Sequence, residues 1–106
     1  MSNSRKYILE IDTTKRLEKS VILKEEDELI DQEFGEFDVV GTIDSILHRN
    51  NLSLEKDIIE VIPNVGPGSF TGIKVGIAIA NTLNWQLGIN KEYQPNYGGE
   101  PNITVK

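Results

Sequence analysis

Val65-Gly66-Pro67-Gly68-Ser69-Phe70-Thr71-Gly72-Ile73-Lys74-Val75-Gly76 is the stretch on which the reading of this chain turns. Glycine at 66, 68 and 72 and proline at 67 interrupt regular structure, so residues 66–72 read as a tight turn between two ordered elements. Before it, residues 58–65 are rich in isoleucine and valine and read as a strand, with Pro63 placing a break late in it. After it, residues 73–87 hold no proline and end at Gly88, which suits an unbroken helix with a glycine stop. Ser69 or Thr71 supplies the N-cap, since a short hydroxyl side chain can accept from the first free N–H groups.

Working outward, residues 7–11 form an apolar run that ends in Asp12-Thr13-Thr14, a buried strand followed by a hydroxyl-rich turn. Runs at 19–24 and 28–34, separated by Glu25-Glu26-Asp27, predict a hairpin whose outer edge is guarded by charge. From Phe37 the spacing changes. Val39, Val40, Ile43, Ile46 and Leu47 share one arc while Asp38, Thr42, Ser45 and Arg49 face elsewhere, which predicts an amphipathic helix ended by Asn50-Asn51. Ser53 then caps a single turn over Leu54-Glu55-Lys56-Asp57. Strand, two hairpin strands, helix, strand, helix is the first half of the ribonuclease-H-like or actin-like order. The expected class is therefore α/β: a single lobe of the actin-like ATPase (ASKHA, ribonuclease-H-like) fold. Its mixed sheet should have antiparallel strands 1–3, strand 4 parallel to strand 1, and two main helices. Residues 1–89 make that lobe, and 90–106, with two prolines and two adjacent glycines, read as an extended tail with room for one short strand.

A chain of 106 residues has room for one domain with one core. Apolar residues make up 38% of it, the low side of the globular range, so a small core completed by a neighbouring chain is physically reasonable. The absence of cysteine removes disulfides, thiolate metal sites and cysteine nucleophiles, and makes a reducing cytoplasm the default expectation. MSNSRKYILEID lacks the apolar stretch of a signal peptide, and no run approaches the roughly 20 apolar residues that span a bilayer, so a soluble protein is expected. The formal charge of −6 is uneven: residues 1–60 hold 15 acidic and 8 basic side chains, residues 61–106 hold 2 and 3. A surface of that sign repels phosphate backbones, so any link to RNA should run through a partner. The same charge also reads as a solvated face kept for solubility.

The run 65–76 resembles the signature of the TsaB/YeaZ family, in which G-P-G-S-F-T-G is followed by a basic residue and another glycine. Residues 8–14 resemble the family's opening strand and I-D-T-S turn, and 52–57 its link before the fourth strand, so the resemblance spans residues 7 to about 89. The family begins its first helix near a His-Ser pair, where this sequence reads Phe34-Gly35-Glu36-Phe37-Asp38. It also carries a second lobe of similar fold that has no counterpart here. Residues 93–97 and 101–104 resemble its closing tail, which implies an internal loss of that lobe. The resemblance implies a scaffold: such proteins have the actin-like fold but pair with a catalytic relative, TsaD. That relative transfers a threonylcarbamoyl group to adenosine 37 of tRNAs reading codons that start with A. Family members dock through their first two helices, and a similar surface supports homodimers. The implied partner is thus a TsaD-type protein, with a TsaE-type ATPase able to join the complex, tRNA touched only indirectly and no membrane. No cofactor and a cytoplasmic location are implied.

On a helical wheel, Gly72, Ile73, Val75, Gly76, Ile77, Ile79, Ala80, Leu83 and Leu87 fill an arc of about 200°, against the roughly 100° stripe of a helix lying on one surface. A sheet covers part of that arc, and the remainder faces another helix or another chain. Gly72, Gly76 and Ala80 recur every four residues, which either permits close approach of a partner helix or seats the helix on its own sheet. Trp85, on the more polar side with Lys74 and Asn81, is either an interface anchor or a cover for the edge of the core. On the first long helix, Phe37, Gly41, Asp44 and His48 form a second stripe away from the core. The expected partner-binding set is therefore Phe37, Gly41, Asp44, His48, Gly72, Gly76, Ala80 and Trp85.

Gly66, Gly68, Ser69 and Thr71 lie where a turn meets a helix N-terminus, so they are also read as a turn able to hold an anion on its N–H groups. The Lys-Ser/Thr ending of a Walker loop and the G-x-G-x-x-G order are both absent. Asp12-Thr13-Thr14 stands where working actin-like ATPases place an aspartate and hydroxyls near metal and phosphate. Nucleotide in that fold lies between two lobes, however, so Asp12 is read as accepting turn hydrogen bonds. His48 is the single histidine, and neither G-x-S-x-G nor H-E-x-x-H occurs, so no catalytic residue and no metal ligand is assigned. The leading reading is an accessory subunit. Its rivals are a homodimeric interaction module and a degenerate nucleotide-binding protein completed by another chain.

Overall fold

The computed structural model describes residues 5–96. In chain order the elements are β1 (Tyr7–Asp12), β2 (Lys19–Glu25), β3 (Glu28–Gly35), α1 (Val39–Arg49), the single turn α2 (Leu54–Asp57), β4 (Ile58–Pro63) and α3 (Phe70–Gln86). They form one four-stranded sheet ordered β3-β2-β1-β4, with β1 antiparallel to β2, β2 antiparallel to β3, and β4 parallel to β1. This is the mixed sheet the spacing predicts. Of the extended tail expected over 90–106, residues 90–96 are described and carry no strand; the rest of that expectation lies outside the described residues.

Alternation along the strands decides which face is covered. Leu9 and Ile11 of β1 stand opposite Leu23 and Val21 of β2, and all four are buried. Onto them pack Val39, Ile43, Ile46 and Leu47 of α1 and Ala80 of α3, while Ile73 and Ile77 are buried along the same helix outside that cluster. α1 lies over β2 and β3, and α3 over β4 and β1, so the two helices lie side by side on one face. Each fully buried Leu or Ile contributes about 1.5–3 kcal/mol. The other face carries Glu10, Asp12, Ser20 and Ile22 around a shallow hollow of about 240 Å³, with Lys24 paired to Glu10 at 3.2 Å. No helix among the described residues is long and apolar enough to cross a membrane.

Two boundaries differ from the sequence reading. β4 stops at Pro63, the last residue paired with β1, and Asn64 N closes its end by donating to Ile11 O at 2.8 Å. α3 starts at Phe70, inside the expected turn, because the Ser69 hydroxyl accepts from Gly72 N at 3.2 Å and so draws residues 70–72 into the first helical turn. One core assignment is corrected: Val40 is 50% exposed, because it lies at the margin of the apolar arc, where α1 turns toward α3 rather than toward the sheet.

The far end of α1 is tied to the edge strand. Arg49 donates through Nε and Nη2 to Asp31 at 2.8 Å each and through Nη1 to Glu33 at 2.6 Å, while Asn50 Nδ2 donates to Asp31 at 2.8 Å. The Arg49 guanidinium holds the Asp31 carboxyl well below the usual carboxylate range. Partial burial opposes this, and the Asn50 amide and the Gln32 N–H reinforce it.

Candidate functional site

The residues that place α3 come from the end of β1. Asp12 Oδ1 accepts from Thr14 N at 2.9 Å and from Thr14 Oγ1 at 2.7 Å, and Oδ2 accepts from Asn64 Nδ2 at 3.0 Å. Burial pushes the Asp12 carboxyl up, but the Thr14 and Asn64 hydrogen bonds, with Lys15 nearby, outweigh it and hold the group below its ordinary value. Asp12 thus closes the turn after its strand. Thr13, buried, donates its hydroxyl to Gly72 O, and a Cβ on Gly76 would come within 2.5 Å of Thr13 Oγ1. A Cβ on Gly72 would run into the Thr13 carbonyl.

The column of small residues therefore faces inward. Gly76 and Ala80 are buried within the lobe and Gly72 is half-buried against Thr13, so these three face into the lobe rather than outward. Of the two uses read for them, seating the helix on its own sheet is the one the contacts display. Deeper along the same side, Asn84 is fully buried: its Oδ1 accepts from Val61 N at 2.8 Å and its Nδ2 donates to Val61 O at 2.9 Å. Both backbone groups on the outer edge of β4 at Val61 are thereby satisfied.

The turn 66–72 has much of its N–H capacity engaged. Gly66 N donates to Asn64 Oδ1 at 3.0 Å, Ser69 N to Thr14 O at 3.3 Å, and Gly72 N to Ser69 Oγ. Gly68 is close enough to Thr14 that a Cβ there would lie 2.7 Å from Thr14 Cβ. Thr71 is exposed, and with Ser69, Thr13, Arg16, Lys19 and Val75 it borders a hollow of about 220 Å³. Among the described residues no group of three His, Cys, Asp or Glu side chains is placed to hold a metal ion.

On the outer side of the helix pair the apolar arc stays open. Val75 is 43% exposed, Ile79 and Leu83 are half-buried, and Val40 of α1 joins Ala78, Ile79, Thr82, Leu83 and Gln86 of α3 in lining a groove of about 340 Å³. Gly41, Asp44 and His48 lie exposed on α1, one helical step beyond Val40, whereas Phe37, expected in the same stripe away from the core, precedes the helix and packs half-buried against the core. Trp85 is 78% exposed but borders a separate hollow with Asn81, Ile89, Asn90, Lys91 and Glu92. The residues the sequence reading missed are Val40, Ala78, Thr82 and Gln86. For Ala78, Thr82 and Gln86 the signal was available in the wheel, since they flank Val75, Ile79 and Leu83 on α3.

Comparison with known proteins adds four findings. The family described as TsaD, tRNA N6-adenosine threonylcarbamoyltransferase, matches residues 38–91. The Bacillus subtilis (strain 168) protein named tRNA threonylcarbamoyladenosine biosynthesis protein TsaB is 41% identical over 34 residues, covering 32% of this chain and 15% of that protein. The solved YeaZ from Pseudomonas aeruginosa superposes with a TM-score of 0.70 at 20% identity, over 79% of this chain and 41% of that one. A crystal structure titled as an uncharacterized protein with similarity to peptidase YeaZ from Pseudomonas aeruginosa gives the same TM-score, 0.70, and identity, 20%, over 40% of its length. At this identity the solved structures establish the fold, a YeaZ-like lobe of the actin-like type. This chain spans about two fifths of the length of either solved chain.

Proposed function

The chain belongs to the family of TsaD, tRNA N6-adenosine threonylcarbamoyltransferase, and from that footing we propose that it is a non-catalytic accessory subunit of the TsaB kind, pairing with a TsaD-type protein in formation of the threonylcarbamoyladenosine of tRNA. The observation that carries this reading is the open apolar groove between α1 and α3, lined by Val40, Ile79 and Leu83. Branched side chains left in water on two adjacent helices are stabilised when another protein covers them. Phe37, Gly41, Asp44 and His48 extend the contact along α1, while Gly72, Gly76 and Ala80 act from beneath by letting α3 sit low enough to share one surface with α1. The binding of Asp12 by Thr14 and Asn64 supports a structural role for the strand end. tRNA is reached through the partner, a TsaE-type ATPase joins the same assembly, and the location is cytoplasmic.

The test is light scattering of the chain alone and mixed with the TsaD-type protein of the same organism, repeated with Leu83→Glu. A mixed complex that Leu83→Glu abolishes supports the proposal. No complex, or one indifferent to Leu83→Glu, overturns it. A homodimer that survives the mixing and is broken by Leu83→Glu would establish the self-associating module in its place.

A further inference from the structure

Residues 91–96 run back along α3 toward the end of β4, on the side away from the α1–α3 groove. Tyr93 N donates to Asn81 Oδ1 at 2.9 Å and Asn81 Nδ2 donates to Tyr93 O at 3.2 Å, so one side chain holds both backbone groups of a single residue. Lys91 Nζ pairs with Glu60 Oε2 at 3.0 Å, and the Tyr93 hydroxyl donates to the same oxygen. The Lys91 ammonium lies 5.1 Å from the Tyr93 ring centroid. Farther on, Asn96 N donates to Val65 O at 2.7 Å. Under the segment lies a hollow of about 260 Å³, bordered by Lys74, Ile77, Ala78 and Asn81.

These contacts have the form of peptide recognition. Residues 91, 92, 94, 95 and 96 are exposed, so the segment is held by polar contacts at its surface and contributes little to the core. Asn81 repeats, one turn earlier on α3, what Asn84 does for β4. Asn84 closes on Val61, a fixed part of the sheet, whereas Asn81 closes in the same way on a residue lying across the surface. An amide that pairs with backbone N–H and C=O accepts any extended residue, and the Glu60 carboxylate adds selectivity for a cation and a phenol two positions apart.

We propose that the cleft between α3 and the outer edge of β4 is a binding groove for an extended segment carrying a basic residue and, two residues on, a tyrosine. Residues 91–96 fill it in cis, and when they leave it receives the same segment of a second copy of this chain. Every contact is pairwise, so exchange between copies keeps all of them. The chain is held as far as Ile89, whose N–H donates to Asn84 O at 2.9 Å and whose side chain packs on the core, so the segment parts from α3 beyond that residue.

Trp85, the single tryptophan, shares a hollow with Lys91 and Glu92 and reports on the groove by fluorescence. The experiment titrates a synthetic peptide of residues 90–96, Asn-Lys-Glu-Tyr-Gln-Pro-Asn, into three full-length proteins. These are the natural chain, a Lys91→Ala/Tyr93→Ala variant whose own segment is released, and the released variant with Asn81→Ala added. Saturable binding to the released variant is expected, at least about tenfold tighter than to the natural chain and to the triple variant, each an apparent difference of about 1.4 kcal/mol or more. Absence of saturable binding, equal binding to the natural chain, or indifference to Asn81→Ala would each overturn the proposal. Should the double alanine variant not fold, Lys91→Met with Tyr93→Phe, which keeps the bulk and removes both donors to Glu60, takes its place in the same titration.

Discussion

The two apolar sides of α3 are built from different residues. Toward the sheet lie Gly76, Ala80, Ile73, Ile77 and the buried Asn84; toward α1 and solvent lie Val75, Ile79 and Leu83. Hydrophobicity does not separate them, since isoleucine stands on both. The inner side is small where the Thr13 hydroxyl and carbonyl come close, and the outer side keeps branched side chains that pack only in part against the core. Small residues at four-residue spacing thus mark a close approach inside the lobe, and the branched residues beside them leave apolar surface open to solvent.

The most damaging way to break the inner side is Gly76→Leu, which drives a side chain into Thr13 and is expected to cost about 3 kcal/mol. Urea unfolding checks it, and an unchanged midpoint would mean that the helix does not seat on Thr13. Next, Asn84→Ala leaves Val61 N and O buried without partners, an expected loss of about 2–3 kcal/mol, visible as faster amide exchange at Val61. On the outer side, Leu83→Glu should cost less stability than Gly76→Leu, about 1–2 kcal/mol, because Leu83 is half-buried and packs only in part against the core. Partner binding should fall at least about tenfold, or about 1.4 kcal/mol, by calorimetry. If stability falls as far as in Gly76→Leu, the two sides are not distinct.

The smallest effect concerns the far wall of the groove, α1, through Arg49→Ala. The Asp31 carboxyl has a folded pKa below its ordinary value of about 3.9, chiefly because of Arg49. Stabilisation from a depressed carboxylate is fully present above the unfolded value and fades as pH falls through the folded one. The natural chain should therefore unfold at slightly higher urea than the variant at pH above about 5, and the gap should narrow below about pH 4. A gap that widened in acid would show that Arg49 acts through something other than Asp31. Because the pair is partly exposed, the gap should be modest.

Much of the fold was readable before any coordinates. The apolar run at residues 7–11, the runs at 19–24 and 28–34 on either side of the charged Glu25-Glu26-Asp27, and the arc from Val39 to Leu47 specified three strands and a helix, and each is found within two residues of its expected bounds. The open groove between α1 and α3 was readable only in part. The width of the α3 arc announced uncovered apolar surface, but Val40 was placed in the core because a wheel shows a residue's direction and not what stands opposite it. Asn81 and Asn84 were unreadable as a pair. A polar side chain on a helix reads as solvent-facing until a strand edge or an extended segment is brought beside it.

Local pattern, then, determined the kind and order of the elements, because hydrophobic periodicity and turn chemistry act over a few residues. The tertiary structure alone decided which side of α3 each small or branched residue faces, that Arg49 reaches Asp31 and Glu33 across 18 and 16 residues, and that Asn84 closes on Val61 across 23. Those pairings depend on how the helices cross the sheet. The crossing is set by packing of the whole core, which no short window of sequence contains.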